Sequence, residues 1–141
     1  MKRATVLPLL AVLLIAACAS TASGPTATPQ QAQKALTEAQ ATRVAVRDSI
    51  AKAYVTAQGN LAARPVDPTA LRLMQQAEAA RTAFNRVDPQ FTAAWQVAAV
   101  AVDSWLAAPS SQTAADKFNT VFASVTKSLS DLSAIQSGAK P

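Results

Sequence analysis

The 141-residue chain has no histidine, one cysteine, three glycines and few aromatic residues: two Trp, one Tyr and four Phe. Each shortage removes a kind of chemistry. Without histidine there is no imidazole acid–base catalyst. One cysteine allows neither an internal disulfide nor a Cys/His zinc site, so no metal is expected. Three glycines, placed in tether, turn and tail, leave no phosphate-cradling loop. The chain is 50% hydrophobic, but much of that is alanine, which buries little area and demands close helix approach. Charge of one sign is not concentrated either. Of 13 basic residues, Lys2 and Arg3 lie in the N-terminal segment, so 13 less 2 leaves 11 against 8 acidic, or +3. These are scattered singly, with no basic stripe for nucleic acid to follow.

What is present begins with that N-terminal segment. Lys2 and Arg3 precede an almost wholly apolar run from Ala4 to Ala17. The run is too short for a membrane-spanning helix, which needs about 20 residues. It fits a cleaved secretory signal peptide over residues 1–17. The run ends Ile15-Ala16-Ala17-Cys18, a branched apolar residue and two small ones before cysteine. This pattern resembles the lipobox of bacterial lipoproteins, over residues 1–18. The resemblance implies cleavage between Ala17 and Cys18, and acylation of the Cys18 thiol and of the new amino terminus, with palmitate the expected kind of chain. Several acyl chains anchor firmly where one binds only marginally. The expected partner of this end is therefore a membrane. Ala19 and Ser20 follow the cysteine in place of the aspartate that commonly retains such proteins at an inner membrane. The same resemblance thus implies an outer-membrane site facing the periplasm in a Gram-negative cell.

Residues 18–31 join the lipidated cysteine to a Ser/Thr/Pro-rich tether whose composition builds no core. As a coil it spans roughly 20 Å, with an extended limit of about 43 Å. Residues 32–136 are expected to form an all-α domain, and 137–141 a disordered tail. Four helices are predicted, about 31–59, 67–87, 89–107 and 111–136. The first carries Leu36, Ala39, Val46, Ile50, Ala53 and Ala57 as one stripe. Arg43 interrupts the stripe with its charge expected to reach water, and Gly59-Asn60 ends the helix. Asp67-Pro68 and Asp88-Pro89 each offer an acceptor at the cap and proline at the first helical position. The second helix carries Leu73, Ala77, Ala80, Phe84 and Val87 as its stripe, with Leu71 and Met74 beside it. The third aligns Phe91, Trp95, Ala98, Val102 and Trp105, and because its middle, Val97 to Val102, is apolar all round, this helix is expected to be the most enclosed. Ser110 or Ser111 caps the fourth, which carries Phe118, Phe122, Val125, Leu129 and Leu132.

A small antiparallel four-helix bundle is the simplest way to bury these stripes. If Asp88-Pro89 only bends the chain, the middle helices fuse and a three-helix bundle results. No catalytic residue or cofactor site emerges. Asp67 and Asp88 are read as caps, Glu78 with Arg81 and Asp48 with Lys52 as surface pairs, and Asp103 as an exposed edge. Trp95 and Trp105 can share one face, as core or as a partner-binding patch. The mature domain is similar in style to small helical envelope or prophage lipoproteins. The function expected is a non-enzymatic protein-binding or structural module of the bacterial envelope, with another envelope protein as partner. The alternative is a carrier of a small hydrophobic ligand or lipid within the bundle.

Overall fold

A computed structural model describes residues 28–138. These residues form three helices: α1 (Pro29–Ala63), α2 (Pro68–Ala107) and α3 (Gln112–Gly138). The four-helix expectation is thereby corrected. At a rise of 1.5 Å per residue the helices are roughly 52, 60 and 40 Å long.

Local chemistry sets most of the ends. Thr28 caps α1, its hydroxyl accepting from the Gln31 N–H at 3.2 Å, with Pro29 at the first helical position. The helix therefore starts inside the segment expected to be tether. It also passes through Gly59-Asn60, and no glycine among the described residues has positive φ. The stop comes at Arg64 (φ −140°, ψ 69°), because Pro65 disfavours helical geometry in the residue before it. Asp67 starts α2 as expected, accepting from the Thr69 N–H at 2.8 Å. Ser111 starts α3, its hydroxyl accepting from the Ala114 N–H at 3.2 Å.

Asp88-Pro89 does not end a helix. Three features let α2 continue. The buried residues Ala77, Phe84, Phe91, Ala98 and Trp105 are spaced by seven, so the stripe crosses Pro89 in phase. Proline removes the N–H that would serve the Asn85 carbonyl, but Asn85 and Pro89 are both exposed, so water can replace it. Finally, the Asp88 carboxylate is engaged elsewhere, by Arg43 of α1.

The same spacing organises the partners. Ala32, Ala39 and Val46 form one series in α1, and Phe118, Val125 and Leu132 another in α3, all buried. Cross-contacts fix the registers. Trp95 Nε1–H donates to the Leu36 carbonyl at 3.0 Å, and seven residues along each helix Arg43 meets Asp88. Between α2 and α3, the Trp105 and Phe118 rings lie 6.0 Å apart. Gly138 lies twenty residues beyond Phe118, and Asn85 twenty before Trp105. In an antiparallel pair α3 therefore reaches only to about the level of Asn85. The main core includes α2 residues from Ala80 to Trp105 and α1 residues from Ala32 to Ile50. Beyond it, α1 and α2 continue as a two-helix hairpin. No described helix is long and apolar enough to cross a membrane.

Candidate functional site

Cys18 and Ala17, the expected lipidation and cleavage positions, lie outside the described residues, as do the signal segment and most of the tether. Among the described residues no helix is long and apolar enough to cross a membrane, which a lipid anchor does not require, so the expected outer-membrane placement facing the periplasm rests on residues 1–20 alone.

The two tryptophans belong largely to the bundle. Trp105 is buried, stacks toward Phe118 and donates from Nε1 to the Pro109 carbonyl at 3.3 Å, closing the α2–α3 turn. Trp95 is half-buried and its indole N–H is spent on Leu36. Each satisfies its polar atom as a buried indole must. Neither presents a free apolar face comparable with the valines described below.

The carboxylates are equally occupied or exposed. Asp67 is a cap, Asp103 is exposed, and Asp116 accepts from the Gln112 amide at 2.8 Å. Asp48 pairs with Arg47 at 3.0 Å where Lys52 was expected. Arg81 lies over the Tyr54 ring, 4.8 Å from its centroid, where pairing with Glu78 was expected. Among the described residues no three His, Cys, Asp or Glu side chains gather to hold a metal ion. No buried side-chain N or O atom among them lacks a hydrogen bond.

The strongest polar contact joins α1 to α2. Arg43 Nε and Nη2 donate to the two Asp88 carboxylate oxygens at 2.5 and 2.6 Å. Both side chains are about one-fifth exposed, so neither the water-reaching arginine nor the capping aspartate of the sequence reading holds. The guanidinium also lies 5.8 Å from the Phe91 ring centroid. Its hydrogen bond to Asp88 raises the Arg43 pKa, against the lowering effect of burial, and Asp88's charge adds to the rise. Arg43 therefore stays cationic, and the pair is not undone at the arginine in ordinary buffers.

The feature that sequence reading missed is an apolar hollow on the outer face of α2 and α3. Gln96, Val97, Val100, Ala101 and Lys117 line it, and it holds about 280 Å³ open to solvent. Helical spacing turns Ala98, Ala101, Val102 and Trp105 inward and leaves Val97 and Val100 outside. Val97 is 53% exposed and Val100 66%, so this apolar run is buried on one side only. The unbroken apolar run from Val97 to Val102 was the available signal. Only the position of α3, which brings Lys117 to the rim, turns it into a hollow.

The bundle interior is filled differently. Phe91, Phe118, Val125 and Leu132 are completely buried there. Phe122 stacks on Phe118 with centroids 5.2 Å apart. No family model, no curated protein and no solved structure matches the chain.

Proposed function

We propose that the chain is a non-catalytic helical module, tethered by lipid on Cys18, that holds a small hydrophobic ligand against its α2–α3 face. The observation that carries this reading is the hollow at Val97, Val100 and Ala101, with Gln96 and Lys117 as its polar edges. Val97 and Val100 lie three residues apart on one face of α2 and leave apolar surface open there for a small guest to cover. A concave apolar wall with few polar groups is the usual form of a small-ligand site. Burial of Phe91, Phe118, Val125 and Leu132 in the interior supports carriage on the surface over carriage within the bundle. The lipid on Cys18 rests on the signal-and-cysteine pattern of residues 1–18. A protein partner is the second reading, favoured by the hollow being open enough to accept a helix ridge.

A photo-crosslinking residue at Val97, in cells expressing the full chain, tests both. The first reading expects an adduct with the mass of a small molecule, and the second an adduct with the mass of a protein. Equal labelling from exposed Gln76 would defeat both. Separately, Cys18→Ser should abolish lipid labelling, and persistence of labelling would remove the anchor from the account.

A further inference from the structure

We infer that the Asp88-Pro89 step of α2 is a latent helix break, held shut by Arg43, at which the distal part of α2 can swing from the three-helix core. The chain contains its own reference for this. Asp67-Pro68 is the same dipeptide, and there it does begin a helix: Asp67 is extended (φ −76°, ψ 117°) and its carboxylate accepts from the Thr69 N–H. Gln90 stands where Thr69 stands, two residues past the aspartate, so its N–H is the group an Asp88 cap would take. What differs is the destination of the carboxylate. Asp88 gives both oxygens to Arg43, leaving none well placed to cap, and the backbone stays helical.

The helix is already weak at this step. Pro89 supplies no N–H to the Asn85 carbonyl, and the Thr92 hydroxyl draws on the Asp88 carbonyl at 3.0 Å. Position decides what opening would release. Asp88 lies close to the level where α3 ends. Beyond it, α2 residues 68–87 bury Ala70, Ala77, Ala80 and Phe84, a single large side chain among them. On the other side, Phe91 is completely buried. A break at 88–89 therefore frees residues 68–87, taking Ala80 and Phe84 out of the main core, while the core from Phe91 onward stays closed. Arg43 sits in the seam, seven residues before Ile50, where an apolar side chain would otherwise be expected. A charged residue there, matched to one partner, fixes the register and holds the step together.

The test is residue-resolved amide hydrogen exchange on the full chain, comparing the parent, Arg43→Leu, Pro89→Ala and the double variant. Arg43→Leu should speed exchange of Val87, Asp88 and Gln90 by roughly tenfold or more, with Val125 and Leu132 changed far less. Adding Pro89→Ala should restore slow exchange, because the break then loses its proline. Arg43→Gln, which retains bulk and polarity, should act in the same direction as Arg43→Leu. The inference is overturned if the double variant exchanges as fast as Arg43→Leu alone. It is equally overturned if Arg43→Leu leaves these amides unchanged, or if Val125 and Leu132 accelerate to the same extent. In that last case the pair holds the whole bundle together and guards no particular step.

Discussion

Where α3 covers them, α1 and α2 bury Phe91, Ala98 and Ala32 completely, and α3 adds Phe118, Val125 and Leu132. Beyond Ile50 and before Ala80, the same two helices bury only Ala57, Ala70 and Ala77. Tyr54, Leu61, Leu73 and Met74 remain partly exposed there, and Val55 and Leu71 more so. Helix propensity does not separate the regions, since both are rich in alanine. Burial does. A fully buried Phe or Leu is worth about 1.5–3 kcal/mol, and an alanine methyl a fraction of that. Two helices with small seam residues approach closely but close no core around themselves. The third helix makes one half a packed body, and the apolar hollow lies on that half. The other half is an arm, the continuation of α1 beyond Ile50 and of α2 before Ala80.

Truncations across the two halves should differ most. Phe118→Ala is expected to cost about 3–5 kcal/mol in urea unfolding, because it opens a cavity in a completely buried site. Leu73→Ala, in the arm, should cost about 1 kcal/mol or less. Similar losses at the two sites would erase the contrast. Arg43→Leu comes next, at about 1–3 kcal/mol, since it strips two charge-assisted hydrogen bonds and leaves Asp88 half-buried without its partner. Thermal unfolding followed by circular dichroism would measure that loss.

On the packed half, Val100→Asp should shift stability by no more than about 0.5 kcal/mol, since Val100 is 66% exposed. The same change should abolish small-molecule crosslinking from Val97. Unaltered crosslinking would separate the hollow from binding. The smallest effect belongs to the arm. Gly59 lies inside α1 without positive φ, and a Cβ there meets nothing within 4 Å. Gly59→Ala should therefore stabilise by about 0.5–1 kcal/mol, chiefly by restricting the unfolded chain. Loss of stability would mean that the arm requires the glycine.

Much of this organisation was legible in sequence, and its failures have particular causes. The stripes of α1 and α3 and the Asp67-Pro68 start follow from periodicity and capping, both local. Residue 88 set two local signals against each other. The cap chemistry of Asp-Pro argues for a break, while the seven-residue series Ala77, Phe84, Phe91, Ala98 and Trp105 argues for continuity. The seam prevailed because a contact 45 residues away, from Arg43, removed the cap's acceptor. No local pattern reveals that contact. At Gly59-Asn60 the composition suggested an end, but the conformational bar stands only at Pro65. The hollow needed the placement of α3, which turns an apolar stretch of sequence into a wall with an open side.

The division into a packed body and a loosely held arm is tested most directly by amide exchange along the unmodified full chain in increasing denaturant. Amides near Phe91, Ala98, Val125 and Leu132 should open only with global unfolding, and those from Val55 to Ala77 through a smaller opening several kcal/mol lower in free energy. A single opening free energy shared by both sets would contradict the account.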